Sequence, residues 1–135
     1  MFDLYNEYQQ EKEYIPREFK YDFERKEIVI KNGSPLYVEG LDAIKIWIYK
    51  TLLVQRGFYI AYSFNYGQDY EELIGNPLSY EAIKAEAKKM TEEALFRHKS
   101  ITKITNFDFK INESKFDITF AVSTTYGEIN MEVTI

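Results

Sequence analysis

The sequence predicts an α+β domain. Its antiparallel sheet is a C-terminal three-strand meander plus an N-terminal hairpin, packed against two main helices. Three observations carry this prediction. From Phe107 to Ile135, apolar and polar residues alternate in three runs separated by turn signals, the period of half-buried antiparallel strands. Two other stretches, 41–55 and 79–97, repeat apolar residues every three or four positions, which is helical spacing. Near the start, the alternating runs Phe19–Phe23 and Ile28–Ile30 flank the charged Glu24-Arg-Lys-Glu27, a hairpin signal. A chain of 135 residues makes one domain with at most a tail. It is long enough to bury about two thirds of its surface without staples.

Residues 1–19 read as an acidic, tyrosine-rich arm, and residues 20–135 as the domain. The arm holds Asp3, Glu7, Glu11, Glu13 and Glu18 against only Lys12 and Arg17, with Phe2, Leu4, Tyr5, Tyr8 and Tyr14 interleaved. Pro16 discourages helix from Ile15 onward. The expectation is a segment that orders against a neighbour, with a solvated frayed terminus as the alternative.

After the hairpin, Asn32-Gly33 is a turn pair and Leu36-Tyr-Val38 a short strand. A helix is expected from Leu41 to about Gln55, stopping at Gly57. Leu41, Ile44, Ile48 and Leu52 form its stripe, Trp47 and Val54 lie on one flank, and Ile46 and Leu53 on the other. Apolar surface that runs nearly all round exceeds what one core face needs. This helix is therefore central to the domain or covered by a partner. Phe58–Tyr62 suits a strand, Asn65-Tyr-Gly67 a turn, and Asp69–Ile74 a short helix ended by Gly75. Ser79 is the expected N-cap of a second helix running to about Arg97. Its stripe of Tyr80, Ile83, Ala87, Met90 and Ala94 is thin at the alanines and permits close packing. The meander follows, with turns at Asn112–Lys115 and Tyr126-Gly127, and its last strand is a candidate edge.

Composition removes several function classes. Seventeen Lys+Arg against 22 Asp+Glu leave a net charge of −5, which argues against binding nucleic acid. With no Cys, disulfide frameworks and thiolate metal sites are excluded. No window holds ~18 consecutive apolar residues, so no membrane-spanning helix is expected. Met1–Glu18 has neither the positive nor the apolar region of a secretory signal. An aromatic content of 17% instead points to a protein partner.

Catalytic patterns are sparse. His98 is a candidate general base, but it lies in Arg97-His98-Lys99 at a helix end, where a structural role beside the dipole suffices. Asp69, Glu71 and Glu72 cluster as a glycosidase pair would. Acids also favour the first turn of a helix, and adjacent Glu71 and Glu72 point about 100° apart. Asn112-Glu-Ser114 fits a glycosylation sequon, but without secretion it is only a hairpin turn. There is no phosphate loop, no calcium ladder and no nucleophile elbow. Nothing calls for a cofactor or a metal.

The order of landmarks carries a resemblance. Gly40-Leu-Asp-Ala-Ile-Lys-Ile-Trp-Ile-Tyr-Lys50, then Gln55-Arg-Gly57, Tyr62-Ser-Phe-Asn-Tyr-Gly67 and Glu72-Leu-Ile-Gly75 resemble the XkdS-like tail proteins of contractile prophage particles. These are similar to the small lysozyme-like baseplate wedge protein of T-even phages. Phe19–Glu39 fits the same branch, so the resemblance covers about residues 19–135. It implies a non-catalytic sheath initiator that is made in the host cytoplasm and built into the baseplate in a ring of copies. It also implies contacts with other wedge proteins, the sheath protein and tube or hub proteins. Where the T-even relative carries Glu-Pro-Arg, this chain has Phe96-Arg-His-Lys99. The expected contact residues are Tyr5, Tyr8 and Tyr14 of the arm, Arg56, Tyr66 and Gly67 of the loop after the first helix, Arg97, His98 and Lys99 at the corner, and Met131, Val133 and Ile135 of the last strand. Two rival readings are a regulatory adaptor for one host protein and a peptidoglycan-cleaving lysozyme.

Overall fold

The computed structural model describes residues 15–53, 70–73, 77–113 and 115–135. The arm up to Tyr14, the strand expected at Phe58–Tyr62 and the turn at Asn65–Gly67 lie outside them. The first structured layer is not a single hairpin. It consists of six short strands: β1 (Arg17–Phe19), β2 (Tyr21–Asp22), β3 (Glu27–Ile28), β4 (Ile30–Lys31), β5 (Ser34–Pro35) and β6 (Tyr37–Glu39). They pair antiparallel as β1–β6, β2–β3 and β4–β5, so each of three extended segments pairs with both others. At the junction the backbone closes a ring of hydrogen bonds. Lys20 N–H donates to Leu36 O (2.7 Å), Leu36 N–H to Val29 O (3.1 Å), and Val29 N–H to Lys20 O (2.9 Å).

Local chemistry makes both tips. Asp22 Oδ1 accepts from the N–H groups of Glu24 and Arg25 at 3.0 Å each, and Lys26 takes φ 55°. Between paired Lys31 and Ser34, Asn32 and Gly33 have φ 53° and 79°, the left-handed pair of a type I′ hairpin turn. Arg17 lies 4.0 Å over the Tyr37 ring, and that ring meets Phe19 at 4.6 Å.

Helix α1 (Leu41–Leu53) follows Gly40, whose φ is 69°. Ala43, Ile44, Ile46, Ile48, Thr51 and Leu52 are all buried. The helix runs through the middle of the domain, with β1 and β6 on one side and β9 and the second helix on the other. Burial on several faces thus answers its all-round apolar pattern. Glu18 of β1 also reaches across to Lys50, N to O 3.0 Å.

A 310 helix (Tyr70–Leu73) precedes α2 (Tyr80–Leu95). Ser79 is the N-cap, its Oγ accepting from Ala82 N–H at 3.3 Å. Ala87 and Ala94 are buried, as close packing on β7 requires. Tyr80 departs from the expected stripe. Its ring is half exposed and its phenol donates to Asp108 at 3.0 Å.

The meander is β7 (Ile101–Asn112), β8 (Lys115–Thr124) and β9 (Gly127–Thr134), in the order β7-β8-β9. β7 starts six residues earlier than its alternation announces. Register shifts fall between Ile101 and Lys103 and between Thr105 and Asp108, where Asn106 takes φ 54°. These irregularities space the buried residues as Ile101, Ile104, Phe107 and Phe109, which hides the period of two. Phe109, Phe116, Ile118, Val122 and Val133 form the sheet's side of the core against Ile44, Ile48, Leu52 and Leu95 of the helices.

Candidate assembly interface

β9 pairs with β8 on one side only among the described residues. Phe116 and Ile135 exchange both backbone hydrogen bonds, 2.9 Å each. Hydrogen-bonded pairs alternate along an antiparallel ladder. The register therefore turns the N–H and C=O groups of Ile129, Met131 and Val133 toward β8. Those of Glu128, Asn130, Glu132 and Thr134 point outward, and their side chains lie on the sheet face away from the helices.

This changes how the last strand can meet a partner. Met131 and Val133 are 5% and 1% exposed, and Ile135 packs against the same core. Their side chains are occupied in holding the fold. What the strand offers is the outward backbone, with the side chains of Glu128, Asn130, Glu132 and Thr134. The alternation that marks Met131 and Val133 as strand residues equally marks them as core, and that signal was sufficient to find the other four.

A groove of about 400 Å³ runs beside this edge. Its first wall is Phe23 and Lys26 from the β2–β3 hairpin with Lys45 and Tyr49 from α1, and its second is the stretch Asn130–Glu132 and Thr134.

The corner after α2 splits its three basic residues. Arg97 and Lys99 are exposed, and His98 turns inward to 6% exposure. Its ring meets Trp47 edge-on at 4.8 Å, and Nδ1 accepts from Ser100 N–H at 3.1 Å. Burial lowers the imidazole's pKa from its usual value, against a smaller opposing pull from the Glu18 carboxylate. The corner thus presents two cations, and the neutral imidazole braces the turn into β7. Tyr5, Tyr8, Tyr14, Arg56, Tyr66 and Gly67 lie outside the described residues. Of the acids considered for glycoside cleavage, Glu72 is exposed on the 310 helix, and Asp69 lies outside the described residues. Among the described residues no cluster of three or more His, Asp or Glu side chains is arranged to hold a metal, and no helix is long and apolar enough to cross a membrane.

Fold and surface together define a small α+β module whose β9 edge is unpaired among the described residues, a class that includes proteins joining their neighbours by strand addition. The chain belongs to the contractile injection system sheath initiator family, which matches residues 17–127. That match begins at the first residue of β1 and reaches the first residue of β9. The chain is also 29% identical over 118 residues to the phage-like element PBSX protein XkdS of Bacillus subtilis (strain 168), covering 87% of this chain and 80% of that protein. The resemblance read from the landmark residues is thereby confirmed. The chain is a structural component of a contractile tail.

Proposed function

We propose that this chain starts sheath assembly by strand addition. An extended segment of the sheath protein pairs with the outward backbone of Glu128, Asn130, Glu132 and Thr134. The first ring of sheath subunits then copies the geometry of a ring of initiators in the baseplate. The observation that carries this reading is the edge of β9, open among the described residues, whose outward pairing groups face away from β8 while its apolar side chains stay in the core. An unpaired edge of this kind is the template that strand addition requires.

Exposed Arg97 and Lys99 suit an acidic surface on a neighbouring wedge protein. Tyr5, Tyr8 and Tyr14, with Arg56, Tyr66 and Gly67, remain proposed contacts with other tail proteins. The role is structural and needs no catalysis. Capture of the tagged protein from induced producing cells, read by mass spectrometry, tests it. Recovery of sheath and wedge proteins is expected. Recovery of a single host factor and no tail protein would replace this reading with the adaptor.

A further inference from the structure

The groove beside β9 has a chemistry that backbone pairing alone leaves unused. On its first wall the Lys45 ammonium lies 5.5 Å from the centre of the Phe23 ring, and Phe23 stands edge-on to Tyr49 at 4.9 Å. Lys26, in the hairpin turn, is the second cation of that wall. Both lysines are exposed, and among the described residues neither has a carboxylate within ion-pair distance. Asp42, one turn before Lys45, lines an adjoining cleft instead.

The register of β9 sorts the side chains of any strand added to it. Those beside Ile129, Met131 and Val133 fall on the helix side of the sheet, where Met131 lines the groove with Lys45 and Tyr49. Those beside Glu128, Asn130, Glu132 and Thr134 fall on the outer face. Neighbours of opposite charge on adjacent strands attract, and like charges directly opposite repel. The two faces of an added strand therefore meet opposite charges, Lys26 and Lys45 on one side and Glu128 and Glu132 on the other.

We infer that β9 selects its partner segment by this pattern. It takes an extended segment with carboxylates among apolar residues on the helix-facing side and neutral or basic residues on the outer side. A uniformly acidic segment would meet Glu128 and Glu132, and a uniformly basic one would meet the lysines. A slip of one residue exchanges the two faces, so the same pattern fixes the register in which the segment is added. The inference deepens the strand-addition reading and rests on it, but selection by charge is a separate property of that edge.

Three synthetic seven-residue peptides test it on the full-length protein. An extended strand of that length reaches about 23 Å along β9. Each peptide begins Val-Thr and ends Thr-Val, so that the valines mark the helix-facing side. The central three residues are Glu-Lys-Glu, Gln-Lys-Gln or Lys-Glu-Lys. In low-salt titrations followed by amide shifts and exchange, the Glu-Lys-Glu peptide should bind about fivefold more tightly than Gln-Lys-Gln, and Lys-Glu-Lys should bind most weakly. Binding should slow exchange at the outward amides of Asn130 and Glu132. In the Lys26→Glu/Lys45→Glu variant the order of the three should reverse. Unchanged protection of the core amide of Ile118 in that variant reports an intact fold. Equal affinities for the three peptides, or an order indifferent to the lysine reversals, would overturn the selection by charge. Slowed exchange at Asn130 and Glu132 would then still leave strand addition standing. If no peptide at millimolar concentration slows those amides, strand addition falls, and this inference with it.

Discussion

The phenol of Tyr70 hydrogen-bonds the hydroxyl of Thr91 inside the core, tying the 310 helix to the middle of α2. Thr91 gives its own proton to Ala87 O at 2.8 Å, so Tyr70 is the donor. The Tyr70 ring lies 5.3 Å from Phe109 and 5.9 Å from Phe116. One residue thus joins the 310 helix, α2 and the meander. Tyr70→Phe keeps the ring and should cost about 1 kcal/mol, the net worth of a buried neutral hydrogen bond. Paired with Thr91→Val in a double-mutant cycle, it should show a coupling of about 0.5–1 kcal/mol in urea unfolding. Strictly additive losses would mean that the two hydroxyls do not depend on each other.

The same phenol sets an alkaline limit. Burial pushes its pKa far above the usual value. In the unfolded chain a tyrosine ionises near pH ~10. The stability from keeping Tyr70 neutral is therefore complete below that pH and is lost as pH rises toward the folded-state value. One such group contributes a slope of up to about 1.4 kcal/mol per pH unit. Other tyrosines add their own slopes, so the informative quantity is the difference between wild type and Tyr70→Phe. That gap should narrow or reverse sign as urea midpoints are followed from about pH 9 upward. A constant gap would show that Tyr70 does not resist ionisation.

His98 sets the opposite limit. Its folded-state pKa is lowered by burial, so the unfolded chain takes up a proton first as pH falls. The stability tied to the neutral imidazole is present above about pH 6.5 and is lost below it. Protonation at Nδ1 would also put two donors in opposition, since that atom accepts from Ser100 N–H. His98→Gln should lose the ring contact with Trp47 and be less stable at neutral pH. Its stability should then vary less between about pH 7 and 5 than that of wild type. Parallel pH profiles for the two proteins would assign the acid sensitivity elsewhere.

Legibility followed the length of each pattern. The meander and the Ser79 cap were visible, because each rests on a long period or a specific cap; the all-round apolar pattern of α1 left a central place and a partner's cover both open. The N-terminal layer was read as a hairpin because its segments are too short for alternation to show a third partner. The ring through Lys20, Val29 and Leu36 turns each backbone N–H to a different segment, and no local pattern announces that. His98 turns inward between exposed Arg97 and Lys99, in step with the alternation of Arg97, His98, Lys99 and Ser100. The alternation of the last strand puts Ile129, Met131 and Val133 in the core and leaves Glu128, Asn130, Glu132 and Thr134 on the other face. The groove was not legible at all. It exists only where Phe23, Lys45 and Asn130 meet, from three distant parts of the chain.

The edge itself can be tested one residue at a time. Asn130 N–H points away from β8 and Met131 N–H points toward it, paired with Phe120. Proline is tolerated in a sheet only where its missing N–H faces outward on an edge. Asn130→Pro should therefore keep the β8–β9 ladder and fold, with a loss of about 1 kcal/mol and a melting temperature lower by roughly 3–5 °C. Met131→Pro removes a ladder bond and a core side chain, should cost about 3 kcal/mol or more, and is expected to unfold much of the chain. Deleting residues 129–135 would be similarly uninformative, because Ile129, Met131 and Val133 are core. The Asn130→Pro variant separates pairing from folding. If β9 receives the first sheath segment, this variant should enter baseplates yet yield tails without sheath in electron micrographs. A folded Asn130→Pro protein on tails with sheath of normal length would show that the outward backbone of β9 is not the template.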